Sequence, residues 1–274
     1  MAADDQSTSA PSVGAFDQAA SDFARLTPVL WGPIAAGTIA QTRPAARERV
    51  LDACCGAGAS ALPAAHAVGH GGLVDAVDAS PAMAALAAAE AERHPGGLPQ
   101  LRVHAHDATT WQPEGYDLVQ CVLGVFFFPD PDTGTEHLVR RVRPGGRAGV
   151  TTWARSAMVA AGAALSAAVA DARGEALPTP SVSTHSQRLG DAGALGSWLG
   201  ARGVSDVEVA TVPHQVRADA DVLWTLVLGS GFRGMLAGLD AAQVDDVRGG
   251  YLDRLVGGPP IDATTLVAVG RRPG

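Results

Sequence analysis

The segment Val50-Leu51-Asp52-Ala53-Cys54-Cys55-Gly56-Ala57-Gly58-Ala59-Ser60 combines residue types that hold a nucleotide-like ligand. Glycines at a strand-to-helix turn let backbone N–H groups approach a ligand that side chains would block. Gly56 and Gly58 suit more than one ligand. With Ala61 they make Gly-x-Gly-x-x-Ala, the spacing of a dinucleotide fingerprint, and Asp78 follows 20 residues after Gly58, where a ribose-binding acid belongs. Asp52 points the other way. It stands at the strand end, four residues before Gly56, and a fixed carboxylate there repels a pyrophosphate and attracts an ammonium group. A tight turn with no ligand is the plainest alternative.

These residues need a frame, and the flanking pattern supplies one. The spacing predicts strand Arg49–Ala53, helix Ser60–Val68, strand Leu73–Val77, helix Pro81–Arg93, strand Leu101–Ala105, strand Tyr116–Val122, a helix around Thr135–Arg141 and strand Arg147–Thr152 after the Pro144-Gly145-Gly146 turn. Strands separated by helical patterns argue for right-handed βαβ units and a parallel sheet. Further on, helices Ser156–Arg173 and Asp191–Arg202 precede strand Val204–Val212. Helices Asp219–Leu239 and Ala241–Val256 precede strand Ala263–Val269. The expected fold is α/β and Rossmann-like: a seven-stranded, mostly parallel sheet with helices on both faces and extra lid helices. Residues 1–12 read as a disordered tail and 13–274 as one domain, with its core at 48–153 and lid elements at 13–45, 155–190 and 213–256. In the first lid, Phe16, Phe23, Leu26, Val29, Leu30 and Trp31 fall near helical spacing, and Pro28 and Pro33 interrupt it.

Composition excludes several activities. All 20 basic residues are arginine, which does not give up its proton, so there is no Schiff-base lysine, no standard phosphate-binding P-loop and no lysine-dependent kinase site. The formal net charge is −8 and no basic stripe exists to displace counterions from nucleic acid or to dock on an anionic membrane. Cys54, Cys55 and Cys121 form neither a disulfide framework nor a metal-ligand spacing, so no metal is expected. They suit a reducing cytoplasm. Residues 1–12 lack a signal-peptide pattern, and the apolar stretch Ala157–Ala170 is too short to span a bilayer.

A ligand with a cationic amino-acid end, such as S-adenosylmethionine (SAM), therefore suits Asp52 better than a dinucleotide does. Val50–Ser60 resembles motif I of the class I SAM-dependent methyltransferases, acid-x-Gly-x-Gly-x-Gly, with Cys54 in place of the first glycine. Val74–Met83 looks like motif II, His106-Asp107-Ala108 like motif III, and Tyr116–Phe126 like motif IV; Leu138–Thr152 resembles the turn and strand that follow. The resemblance implies a SAM site made by Asp52, Ala53, Cys54, Gly56, Gly58, Asp78, Ala79, Met83, Asp107, Ala108 and Cys121. In it Asp78 accepts from both ribose hydroxyls, Met83 packs on adenine and Asp107 accepts from the adenine amine. Asp107 has a second interpretation, as a turn initiator. A weaker similarity of Phe23–Trp31 and Ser186–Arg272 is to actinobacterial enzymes grouped with the quinone-methylating methyltransferases.

Methyl transfer from a sulfonium is an in-line displacement, served by near-attack geometry and exclusion of water. An amine acceptor needs no base, whereas a phenol or acidic carbon benefits from one. Of the eight histidines, His106, His137, His185 and His214 lie where they could approach the cleft, and His185 is the candidate catalytic base. Phe23, Phe126 and Trp153 are the candidate substrate-pocket residues. The expected activity is methylation of O, N or C of a small aromatic or apolar metabolite. The absence of lysine beside abundant alanine suits a high-GC bacterial genome and secondary metabolism. The alternatives are an NAD(P)-dependent oxidoreductase and a methyltransferase-fold enzyme catalysing a cyclisation. The Phe23–Trp31 segment is also a candidate dimer contact, which makes a homo-oligomer one expectation.

Overall fold

The computed structural model describes residues 13–175 and 187–274. Nine strands and nine helices of eight or more residues order the described chain. The strands are β1 Arg49–Ala53, β2 Leu73–Asp78, β3 Leu101–Ala105, β4 Tyr116–Val122, β5 Val142–Trp153, β6 Ser205–Val212, β7 Gln215–Val216, β8 Ile261–Asp262 and β9 Thr265–Arg271. The helices are α1 Val13–Arg25, α2 Gly32–Thr42, α3 Ala61–Val68, α4 Pro81–Arg93, α5 Pro131–Arg141, α6 Val159–Arg173, α7 Ala192–Gly200, α8 Ala220–Leu228 and α9 Ala241–Leu255.

Seven strands make one sheet in the order β3-β2-β1-β4-β5-β9-β6. β1 to β5 pair in parallel, while β9 runs antiparallel to both β5 and β6. Helices on both faces bury β1, β2 and β4, so these strands read as nearly unbroken apolar runs. The order reverses at β1, where β2 leaves on one side and β4 on the other. In open α/β sheets a ligand crevice lies outside the carboxyl ends of strands at such a switch point. The expected seven-stranded, mostly parallel sheet is therefore what forms.

Local chemistry sets the helix starts. Ser80 caps α4, its hydroxyl accepting from Met83 N while Pro81 takes the first position. Asp130 and Pro131 begin α5 in the same way, and Asp240 with Gln243 forms a capping box at α9.

Four details differ from the sequence expectation. Asp219–Leu239 is not one helix: α8 stops at Leu228 because Gly229-Ser230-Gly231 breaks it, and Ser230 Oγ accepts from Phe232 N to start a 3-10 turn at Gly231–Leu236. β5 begins at Val142 and carries Pro144-Gly145-Gly146 within it, with a register shift against β4 between Tyr116 and Leu118. The prolines at 28 and 33 leave a π-helical turn, Thr27–Trp31, between α1 and α2. The small β7–β8 pair has no strong sequence signal. The predicted disordered tail, residues 1–12, lies outside the described residues.

Both outer helices of the first lid are tied to the rest. α1 packs against α4 and α8. α2 lies on the sheet through Thr38 Oγ1, 2.8 Å from Thr151 Oγ1, and Thr42 Oγ1, which donates to Gln120 Oε1 at 3.1 Å. Among the described residues no helix is long and apolar enough to cross a membrane.

Candidate active site

The carboxyl ends of β1, β2 and β4 bring Ala53, Asp78 and Cys121 together: Ala53 pairs with Val77 on one side and with Cys121 on the other. The chain then turns through left-handed backbone at Cys54 (φ 57°), Gly56 (φ 53°) and Gly58 (φ 90°) before entering α3. Glycine takes this conformation freely, while a residue with a Cβ pays of the order of 1 kcal/mol. Cys54, where the motif that this segment resembles has its first glycine, thus keeps the glycine conformation.

Asp78 fastens the turn. Its Oδ2 accepts from Gly56 N at 2.8 Å and its Oδ1 from Ser80 N at 2.9 Å. Burial raises its pKa above 3.8 against these two N–H donors, and the neighbouring Asp17 adds to the rise. A carboxylate has about four lone-pair sites, so two are left for further donors. Met83 is buried on α4, and Ala79 is exposed at the loop between Asp78 and Ser80.

Asp52 departs from expectation. Its carboxylate does not stand open to a ligand: the residue is fully buried, with Ser60 Oγ donating to Oδ2 at 2.8 Å and Gln120 Nε2 to Oδ1 at 3.1 Å. Burial pushes its pKa up to about 7, with the charge of Asp78 adding and the two hydrogen bonds opposing. The carboxyl that was to discriminate between ligands therefore faces Ser60 and Gln120 inside the protein rather than an open cleft. Its hydrogen bonds join the end of β1 to the start of α3 and, through Gln120 and Thr42, to α2.

Sulfur fills the space behind the turn. A Cβ at Gly124 would come within 2.6 Å of Cys54 Cβ and 2.8 Å of both the Cys54 and Cys121 Sγ atoms. A hydrogen bond with Cys121, together with burial, pushes the Cys54 thiol well above its ordinary range, so it stays neutral. Gly124 has an ordinary backbone (φ −108°), so its requirement is space alone. Gly124→Ala is expected to destabilise the chain by about 1–3 kcal/mol through overpacking. An unchanged thermal midpoint would show that this corner is loose.

The remaining predicted residues divide. Asp107 is exposed and accepts from Thr109 N and Thr109 Oγ1, so it caps the 3-10 turn at Ala108–Thr110, and Ala108 is buried under it. Phe23 is half-buried, stacks on Trp31 at 4.6 Å between ring centroids, and lies close enough to the turn that a Cβ at Gly56 would meet it at 3.0 Å. Trp153 approaches Trp31 at 6.5 Å. Phe126, expected on the pocket wall, is instead a core residue at 3% exposure. Its neighbour Phe127 takes the outward position, edge-on to Phe16 at 5.1 Å. His106 Nδ1 meets Asp107 O, His137 Nε2 meets Trp111 O and His214 Nε2 meets Val29 O, each within 2.9 Å, so these three serve backbone carbonyls. His185 lies outside the described residues. Among the described residues no group of three His, Cys, Asp or Glu side chains could hold a metal ion.

Sequence reasoning missed Asp17, whose Oδ1 accepts from Ser80 Oγ and Ala82 N, and the Ser60–Asp52–Gln120–Thr42 chain. A polar Gln120 within the apolar run of β4 was the one available signal. The left-handed glycines, the half-satisfied Asp78 at the adjoining strand end and the buried Met83 beyond it fit the nucleoside and amino-acid parts of SAM.

Comparisons with known proteins agree. Residues 50–146 match the model of a methyltransferase domain. The chain is 34% identical over 140 residues to aklanonic acid methyltransferase DauC of Streptomyces sp. (strain C5), a match covering 50% of this chain and 63% of that one. It therefore spans less than two thirds of that relative. It is 27% identical over 222 residues to nocamycin O-methyltransferase of Saccharothrix syringae, covering 77% of this chain and 79% of that one. The crystal structure of the [4+2]-cyclase SpnF shares the fold, with a TM-score of 0.58 and 17% identity over 98% of this chain and 100% of that one. The dinucleotide alternative gives way to these findings. The comparisons show similarity to methyltransferases across residues 50–146 and, with one relative, across 77% of the chain.

Proposed function

We propose that the protein transfers a methyl group from SAM to O, N or C of a small aromatic or apolar metabolite in bacterial secondary metabolism. The observation that carries this is Asp78, held at the end of β2 by Gly56 N and Ser80 N with two acceptor sites free. SAM, when bound, supplies an electrophilic methyl on a sulfonium whose departure leaves a neutral thioether.

In this proposal the chain's own residues bind, orient and exclude water. Asp78 holds the ribose, while Ala53, Cys54, Gly56, Gly58 and Cys121 line the methionine arm. Ala79, Met83, Asp107 and Ala108 lie around the adenine, and Asp52 braces the turn from behind. The aromatic residues Phe23, Trp31, Phe127 and Trp153 give the acceptor an apolar, water-poor enclosure, which strengthens electrostatics at the reacting centre. Residues 13–45, 155–190 and 213–256 act as lid elements, and His185 is the proposed base for an acceptor that needs one. The names of two relatives, aklanonic acid methyltransferase and nocamycin O-methyltransferase, support a small-molecule acceptor.

Calorimetry with SAM and S-adenosylhomocysteine (SAH) tests the cofactor, with micromolar binding expected for both and none for NAD. Incubation with candidate aromatic acids and phenols tests the reaction. SAH should appear in step with methylated product. Product of unchanged mass without SAH would mean a cyclisation or another rearrangement on the same fold.

A further inference from the structure

We propose that Asp17 on α1 is a positioning residue that latches this helix over the cofactor turn and so slows cofactor exchange, an inference that rests on the SAM reading of the same site. Asp17 Oδ1 accepts from Ser80 Oγ at 2.5 Å and from Ala82 N at 3.2 Å. Ser80 N in turn donates to Asp78 Oδ1 at 2.9 Å, and Asp78 Oδ2 accepts from Gly56 N at 2.8 Å. One hydrogen-bonded chain thus runs from the lid to the ribose-side acid and on to the glycine turn.

The same helix touches that turn a second time. Six residues after Asp17, the Phe23 ring stands over Gly56, at the 3.0 Å approach a Cβ there would make. Trp31 Nε1 donates to Phe23 O at 3.0 Å and stacks on the ring, so the far end of α1 is anchored at the π-helical turn. A ligand that enters or leaves past Gly56 has to move Phe23 aside, which means swinging α1 about that anchor and releasing Asp17, and the latch closes again once the ligand is seated.

Among the bonds that hold α1 down, Asp17 is the one suited to be the latch. Pro81 removes the first N–H of α4, so Ala82 offers the first free donor there, and a carboxylate placed on it gains from the positive end of the helix dipole. The ion pair of Arg25 with Asp221 at 3.0 Å is exposed on both sides, where such pairs contribute little. Asp22 with Arg233 at 3.5 Å is long. Asp17 therefore joins lid position to the state of the Asp78–Ser80 loop.

The test follows SAH binding and release by stopped-flow tryptophan fluorescence, since Trp31 stacks on the ring that must move. Asp17→Ala is expected to release SAH about tenfold faster than wild type, about the effect of one charge-assisted hydrogen bond. Asp17→Asn keeps an oxygen that accepts from Ser80 and Ala82 and should recover most of the wild-type rate. Asp221→Ala, which breaks only the exposed pair, should change release less than twofold. Tryptic cleavage after Arg25, read without cofactor, should rise in Asp17→Ala at an unchanged thermal midpoint. Wild-type release and cleavage rates in a folded Asp17→Ala, or an Asp17→Asn as fast as the alanine variant, would overturn the latch. A wild type that binds no SAH would instead sink the cofactor assignment, and the cleavage comparison would still decide whether Asp17 holds α1 down.

Discussion

Replacing Asp78 with alanine is expected to weaken SAH binding by about 100-fold, which is about 2.7 kcal/mol, with Asp78→Asn falling between the variant and wild type. Two losses combine. The carboxylate that shapes the turn through Gly56 N at 2.8 Å disappears, and so do the acceptor sites assigned to the ribose hydroxyls. Hydrogen bonds to charged groups are each worth roughly 1.5–3 kcal/mol, and water repays part of the deficit when both are removed. Calorimetry on the three proteins, with circular dichroism to confirm folding, measures it. Affinities within about threefold of one another would remove Asp78 from the cofactor site.

A large pH effect is expected from Asp52. The unfolded chain ionises this carboxyl near 3.8, while the fully buried group in the folded chain holds its proton up to about 7. Between those values the folded state carries a proton that the unfolded state has lost. Stability is thus fully present below about pH 4, declines as pH rises, and has lost this contribution above about 7. At 1.36 kcal/mol per pH step, the interval is worth on the order of 4 kcal/mol. Asp52→Asn has no charge to bury and can still pair with Gln120 and Ser60, whose hydroxyl donates or accepts. Urea denaturation of the cofactor-free protein should show the wild type losing more stability than Asp52→Asn between pH 5 and 8.5. Parallel curves for the two would mean that the buried carboxyl ionises normally.

Much of the frame was legible because its signals are local. The apolar runs of β1, β2 and β4, the Ser80-Pro81 start of α4 and the glycine turn each depend on neighbours within a few residues, and the structure forms all of them as expected. Long-range partners were harder. That an acid ends β1 is plain in the sequence, but Gln120, which takes one of its oxygens, lies 68 residues away on the adjacent strand. The run Phe126-Phe127-Phe128 gave no means of telling which ring faces inward. A 3-10 turn at Val125–Phe127 rotates each side chain by about 120° from the last, which buries Phe126 and turns Phe127 outward. Asp17 carried no signal at all, since a lone acid in an amphipathic helix ordinarily marks its solvated face.

The placement of β9 between β5 and β6 has a consequence for how the chain reaches its native state. Among the described residues β6 pairs with no other strand, and β9 follows it only after α8 and α9. Until Thr265–Arg271 leaves the ribosome, β5 offers a bare row of N–H and C=O groups to any passing strand, and β6 lacks the strand it pairs with. The nucleotide-side half, β1 to β5, can assemble during synthesis, whereas closure of the other edge waits for a contact between distant parts of the chain. Expression at high concentration should therefore favour inclusion bodies through unsealed β5 edges, and slower translation or a holdase chaperone should relieve it.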